Sequence, residues 1–428
     1  MTITTTPLVE ASGKARLSDH VLDNLMALPG WKPQHQAMLD SGLPEFDRRL
    51  SVYPASAGFE LLDELDYLAA RSIERNVFFE PRFLAPAMPR LDDRDVFLAV
   101  LRDEDTARSR LRFLLPYSIE RPGLGIGPSV IRGWTTPFGP VGAPLIDSDD
   151  PVQVVNATFA LMAQKKLRLP NVLVLPDMPL DGPAAGAIRA AALSADLPID
   201  IIEGETRPVL DATGEADEHF AKAVSGHHRR NYNRLRRRLA ERGELTFDIA
   251  RQPEETREAT ETFLTLELMS WKGKARSAMA SDRYQAAFAR EAVYRLAERD
   301  MVRIATLKLD GETIASLIVL LAGGTAYTWK TAFDETLKEF SPGVLLMIDT
   351  TEYLINDPNI VQADSCAVEN HPVMSRMWND SRTYGTIIVG ITPGTDRAVN
   401  QTARQLHLYR GTRNLAKNFR DKVRRIRR

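Results

Sequence analysis

The chain has 428 residues, of which 44% are apolar and 26% charged, with a single cysteine and a formal net charge of −2. This length exceeds one ordinary core and predicts two or three domains, and the apolar fraction can bury them without disulfide or metal staples. Cys366 stands alone, which excludes an internal disulfide framework and any site built from several thiolates, and fits a reducing compartment.

The N-terminus has no charged leader followed by an apolar run. The longest strongly apolar run, Ile314 to Ala322, falls well short of the ~20 residues of a spanning helix, so a cytoplasmic location is expected. Charge is uneven: residues 401–428 carry +9, leaving −11 for the rest.

Residues 1–55 read as an N-terminal extension with weak periodicity and scattered prolines. Leu61, Leu62, Leu65, Leu68 and Ala69 recur at helical spacing and predict a helix over 59–73. Strands are expected over 96–101 and 111–119, then a Gly- and Pro-rich loop over 122–144. A helix over 152–165, a strand over 172–175, a helix over 183–195 and a strand over 199–202 complete a first domain at 56–210. Residues 206–214 look like the linker out of it.

The second half opens with a helix over 215–242, interrupted at Gly226, and a short strand over 245–249. Helices over 253–271 and 282–299 follow. Val302 to Leu309 and Thr313 to Leu321 are apolar runs joined by Asp310-Gly311. That dipeptide is the strongest short hairpin signal, because both turn residues must accept positive φ. Gly323-Gly324 turns the chain into a third antiparallel strand over 326–333. Ser341-Pro342-Gly343 then opens a helix, with Ser341 as its cap and Pro342 at the first position, where a missing N–H costs nothing. A strand over 360–363, a short helix over 372–378 and a strand over 386–389 end a second domain at 215–395, and 396–428 is a basic tail.

Three motifs in this half carry a family resemblance. They are Leu266-Glu267 with Trp271-Lys272-Gly273-Lys274; Trp329-Lys330 with Phe333-Asp334 and Phe340-Ser341-Pro342-Gly343; and Asp364-Ser365-Cys366-Ala367 with His371-Pro372 and Trp378. In content and order they resemble the motifs of the CelD/BcsL-like (BioF-like) acyltransferases of the GNAT superfamily. The element order over about 215–392 resembles the GNAT core, and the tandem arrangement is similar to that of FemABX aminoacyl ligases. The resemblance implies an α/β fold with mixed sheets, made of two tandem GNAT-like domains. It implies acyl transfer from acetyl-CoA or another acyl-CoA, without a metal, to an amine or hydroxyl acceptor. That acceptor is a small molecule or a glycan precursor of envelope or exopolysaccharide biosynthesis. An aminoacyl-tRNA-dependent ligase and a non-catalytic scaffold stand as alternatives.

A helix N-terminus offers free N–H groups and partial positive charge to a pyrophosphate, so Ser341, Pro342, Gly343 and Val344 are candidate donor-binding residues. Gly343 would permit close backbone approach. Trp329, Lys330 and Lys272 join this set, the lysines as partners for phosphate or carboxylate. By analogy with GNAT enzymes, the third strand near Thr328 to Lys330 supplies an N–H donor to the thioester oxygen. His371, Asp364, Glu267 and Glu369 are alternatives for the general base; imidazole suits this work near neutral pH. His371 could instead cap the short helix, and Glu267 could be an ion-pair partner of Lys330 or Lys272. Tyr384 is a candidate acid for the leaving thiolate, and Cys366 reads as a small buried residue.

The helix bearing Arg229, Arg230, Arg234, Arg236, Arg237, Arg238 and Arg242 has an apolar stripe of Val224, Tyr232, Leu235 and Leu239. Its outward arginines suit phosphate, including that of tRNA, or form a solvated face. In the tail, Leu415, Phe419, Val423 and Ile426 at helical spacing among basic residues suggest peripheral contact with an anionic membrane.

Overall fold

The computed structural model describes residues 5–14, 47–104, 109–123, 125 and 127–410. The strands are β1 Val9–Lys14, β2 Asp47–Pro54, β3 Phe97–Glu104, β4 Ser109–Glu120, β5 Val130–Gly133, β6 Leu145–Ile146, β7 Val172–Pro179, β8 Ile199–Asp211, β9 Leu245–Ala250, β10 Val302–Leu309, β11 Glu312–Ala322, β12 Thr325–Phe333, β13 Gln362–Asp364 and β14 Asp380–Gly390. They form one 14-stranded mixed sheet in the order β1-β2-β3-β4-β5-β7-β14-β8-β13-β12-β11-β10-β9, with β6 on β4.

The helices are α1 Ala57–Glu60, α2 Leu62–Arg71, α3 Pro81–Leu91, α4 Pro151–Met162, α5 Pro183–Ser194, α6 Ala216–Ala223, α7 Gly226–Ala240, α8 Pro253–Met269, α9 Trp271–Lys274, α10 Arg283–Ala297, α11 Pro342–Asn356 and α12 Met374–Met377. A further helix runs over residues 396–410. Among the described residues no helix is long and apolar enough to cross a membrane.

The β10–β11 hairpin turns as its dipeptide requires, with φ of 50° at Asp310 and 84° at Gly311. The helix expected over 215–242 breaks before Gly226, where Ser225 accepts a bond from the N–H of His228 and starts α7. Leu235 and Leu239 of α7 are buried, so the apolar stripe faces the protein.

Three segments differ from the sequence reading. Residues 206–211, expected as linker, are the second half of β8: Pro208 pairs with Ser381 of β14, and Leu210 with Ala363 of β13. The partners lie more than 150 residues away, so nothing local in this polar stretch announces a strand. The N-terminal segment contributes β1 and β2 to the sheet, burying Ala11, Leu50 and Val52. Residues 396–410 are helical, and Val399 and Ala403 pack on Val130, Val172, Val174, Ile202 and Ile388. The amphipathic stretch from Leu415 to Ile426 lies outside the described residues.

Because β14 sits between β7 and β8, the chain's late strand closes the early part of the sheet. One apolar core follows this continuity, from Ala11 to Ile391. At its centre, Phe83 meets Phe78, Phe288 and Trp329 edge-on at 5.2–5.9 Å, and Phe78 meets Tyr327 in the same way at 5.3 Å. Such aromatic pairs contribute about 0.5–1.5 kcal/mol each beyond their burial. The loop between β5 and β6 packs equally tightly on β7: a Cβ on Gly142 would lie 2.0 Å from the carbonyl oxygen of Pro176. Gly142→Ala must therefore move backbone, and a loss of about 2–4 kcal/mol is expected. A urea denaturation midpoint equal to that of the parent would contradict this packing.

Candidate active site

The parallel pairing of β12 with β13 lasts three residues: Thr325 with Gln362, Ala326 with Ala363 and Tyr327 with Asp364. The end of β13 has a local cause. Asp364 Oδ1 accepts the N–H of Cys366 at 2.6 Å, and Cys366 takes a left-handed φ of 48°. Ser365 N–H donates to Pro208 O at 3.1 Å, which keeps the departing chain on the β8 side.

Meanwhile β12 runs on to Phe333. Opposite it, Ile318 pairs with Lys330 and Val319 with Thr328, so Trp329 is the extra residue of a bulge. The two strands therefore diverge into a wedge. Among the described residues, the β13-facing edge of β12 has no strand partner beyond Tyr327. Thr328 Oγ1 bridges the root of the wedge by donating to Ser365 O at 2.9 Å.

On the β12 wall, Trp329 is buried and its Nε1–H donates to Phe138 O at 2.7 Å. Lys330 Nζ lies 4.3 Å from the centre of the Phe138 ring. Among the described residues no carboxylate pairs with Lys330. Burial, aided by the charge of Lys272, brings its ammonium down to about 8, against the opposing pull of Glu267 and Cys366.

Lys272 is committed elsewhere: its Nζ donates to Glu267 Oε1 at 2.9 Å and to Thr331 O at 3.0 Å. The other oxygen of Glu267 accepts the N–H of Met279 at 2.8 Å. Of the sequence alternatives for Glu267, the ion pair with Lys272 is the one formed. Together the two residues clamp the α8–α9 corner onto β12.

On the opposite wall, Asp364 is buried, and its Oδ2 accepts the hydroxyl of Tyr384. Burial, then the Asp364 charge, push Tyr384 well above its ordinary range, and the same causes raise the half-buried Cys366. At neutral pH Cys366 is therefore a thiol, and Tyr384 a phenol held to a carboxylate. The Arg207 guanidinium stacks 3.8 Å from the Tyr384 ring centre and donates from Nη2 to Pro140 O at 3.0 Å.

His371 is not in contact with this group. Its Nδ1 accepts the N–H groups of Val373 and Met374 at 3.4 and 3.2 Å, capping the α12 turn, and burial lowers its pKa. Glu369 is exposed in the same loop. Among the described residues no three His, Cys, Asp or Glu side chains are grouped to hold a metal.

The start of α11 departs from its expected form. Ser341 is left-handed, at φ 53° and ψ 52°, and its hydroxyl makes no cap bond. It joins the end of a short 3-10 turn over Glu335–Phe340 to Pro342 through this backbone geometry. A Cβ at Gly343 would meet the Phe333 ring at 3.2 Å, so a larger residue there would have to displace that ring slightly. Val344 N–H already bonds Ser341 O. Cations lie close by, since the guanidinium groups of Arg238 and Arg242 stand 5.2 and 5.1 Å from the ring centre of Phe340, next to Ser341. Arg238 also pairs with Glu339 at 3.6 Å.

A cavity of about 340 Å³ lies at the other end of β12, lined by Arg75, Arg251, Asp300, Arg303, Gly323 and Gly324 among others. Its arginines are all held in ion pairs, Arg251 and Arg303 sharing Asp300 and Arg75 with Glu80, so we do not assign the chemistry to it.

Phe138, Arg207 and Thr328 complete the wedge. Phe138 lies in a loop and Arg207 in the stretch read as linker, so only the tertiary fold brings Phe138 to β12 and Arg207 to Tyr384 of β14.

Residues 226–360 match the acetyltransferase (GNAT) domain family. No curated protein matches the chain. Among solved structures, FemX is similar, with a TM-score of 0.52 at 11% identity over 78% of this chain and 96% of FemX. A conserved protein of unknown function from Bacteroides thetaiotaomicron gives 0.49 at 12% identity, over 77% of this chain and 96% of its own. A tandem GNAT protein from the clavulanic acid biosynthesis pathway gives 0.40 at 15% identity, over 81% and 99% respectively. The FemX likeness agrees with the mixed α/β tandem fold expected from the motifs. Over residues 226–360 the chain is thus similar to the acetyltransferase (GNAT) domain family, and its mixed α/β fold is similar to that of FemX.

Proposed function

We propose that this chain transfers an acyl group from an acyl-coenzyme A thioester to a primary amine held in the wedge between β12 and β13. The observation that carries the reading is the divergence of these strands at Tyr327 and Asp364, with the Trp329 bulge and Lys330 on β12 beyond that point. The unpartnered edge offers backbone N–H groups to a thioester oxygen, a preorganised arrangement that needs no rearrangement as charge develops.

Lys330 acts as the base. Its neutral Nζ takes a proton from the acceptor's ammonium, and the freed amine attacks the thioester carbonyl. The tetrahedral oxyanion collapses, the C–S bond breaks, and the leaving thiolate takes up the proton shed by the new amide nitrogen. Lys330 then returns its proton to solvent. A base at about 8 is well matched to this task near neutral pH. In this account His371 shapes the α12 turn, and Asp364 fixes Tyr384 and the end of β13.

Arg238 and Arg242, beside the start of α11, would hold the donor's phosphates. Replacing both with alanine is expected to weaken acetyl-CoA binding at least about tenfold by calorimetry, as loss of one or two charge-assisted bonds implies. An unchanged dissociation constant would remove them from the donor site. Release of free thiol from acetyl-CoA in the presence of an amine panel tests the reaction itself. Acylation of an amine supports the proposal, and transfer only from charged tRNA would replace it.

A further inference from the structure

Arg207 has a deficit that no other described guanidinium shares. It is 8% exposed, yet its Nη1 is buried without a hydrogen-bond partner. The guanidinium nitrogens in the same condition at Arg49, Arg71, Arg82 and Arg112 are Nε atoms, each in a side chain that already forms an ion pair. Among the described residues Arg207 has no ion pair. Nη1 carries two hydrogens, so two donors are left over in a low-dielectric interior, where an unmet polar group is costly.

The nearest carboxylate does not satisfy it. Asp364 is close enough to favour the charged guanidinium, but its oxygens bond the Tyr384 hydroxyl and the Cys366 N–H. The Tyr384 ring fixes the guanidinium plane, and Pro140 O fixes Nη2, so the orientation of Nη1 is set in advance. The pairing of Val209 with Asp364 and the bond from Ser365 N–H to Pro208 O put Arg207 just beyond the end of β13.

We infer that one of the two substrates carries a carboxylate, and that Arg207 Nη1 receives it. This rests on the acyl-transfer reading of the same wedge. A single preoriented –NH2 donor group fits one carboxylate oxygen or a carboxylate edge. The carboxylate could belong to the acyl group, as in a dicarboxylic monothioester, or to the amine, as in an amino acid. Both sources share this chemistry. Arg207 thereby becomes a specificity-determining residue that holds a substrate group away from the reacting atoms.

The test uses calorimetry on the full chain with matched pairs. Succinyl-CoA against acetyl-CoA probes the donor arm, and a panel of N-acetyl amino acids against their amides, as product mimics, probes the acceptor arm. In one arm the carboxylate member is expected to bind at least tenfold more tightly than its neutral twin. In Arg207→Met that ratio should fall to within about twofold, while Arg207→Lys, which keeps the charge, should retain part of it. Ratios near one in both arms of the parent protein overturn the inference, as does a ratio that survives Arg207→Met. The parent pairs decide the matter even if a variant fails to fold. Binding of acetyl-CoA alone judges the acyl-transfer reading separately: saturable binding with flat ratios sinks the carboxylate site and spares that reading.

Discussion

Lys330→Met is expected to lower kcat/KM at pH 7.5 at least about 100-fold, the usual worth of a positioned base, and at the same time to raise thermal stability. The two effects share one cause. Lys330 is surrounded by the Phe138 ring and the buried face of β12, and burial brings its ammonium down to about 8 from an ordinary value of 10.5. Between those values the unfolded chain binds the proton that the folded chain has shed, so this group makes stability rise with pH across that window. Below about 8 the folded protein bears the full cost of a poorly solvated charge. Methionine fills similar space without the charge, so the gain in Tm should be largest at pH 7 and should disappear above about 10.5. Thermal scans of both proteins at pH 7 and pH 10 check the sign. In the parent, kcat/KM should climb as pH rises through about 8, because the base works only when neutral. A flat profile, or a Lys330→Met protein that is active and no more stable, would reject Lys330 as the base.

Asp364→Ala is expected to cost about 3–5 kcal/mol, in the range seen when one member of a buried charged pair is removed. The loss has three sources in the structure. The Tyr384 hydroxyl and the Cys366 N–H each lose an acceptor, and Arg207 loses the anion that favours its charge. Asp364→Asn separates this role from catalysis. A general base replaced by its amide leaves stability nearly intact and abolishes turnover. A structural anchor replaced by its amide keeps one acceptor oxygen but loses the charge, so stability falls by about 2 kcal/mol. We expect the second pattern in urea denaturation. An Asp364→Asn protein with full stability and no activity would return the base role to this carboxylate, one of the sequence alternatives.

The β10–β11–β12 meander was legible because Asp310-Gly311 and Gly323-Gly324 admit few conformations other than tight turns. The α11 helix was legible from Pro342 and the apolar spacing behind it. What escaped reading depends on distant pairing. β8 was read as linker from Thr206 onward, and it becomes a strand there because β14 and β13 arrive on its edges. Ser341 is a common capping residue, and only the backbone shows that its left-handed turn, with no hydroxyl bond, starts the helix.

For the site, Lys330, Asp364 and Trp329 were named from motifs and do line the wedge. Their chemistry follows from neighbours far along the chain. Phe138 helps to desolvate Lys330, and Tyr384 takes up one oxygen of Asp364. His371 looked like a base from its residue type, but the cap geometry uses its Nδ1.

Amide hydrogen exchange with and without acetyl-CoA tests the central claim most directly. If the donor lies in the wedge with its phosphates at the start of α11, saturating acetyl-CoA should slow exchange over Thr328–Lys330 and Gly343–Leu345. Protection confined to the arginine-lined cavity at the other end of β12, or no protection anywhere, would contradict the account.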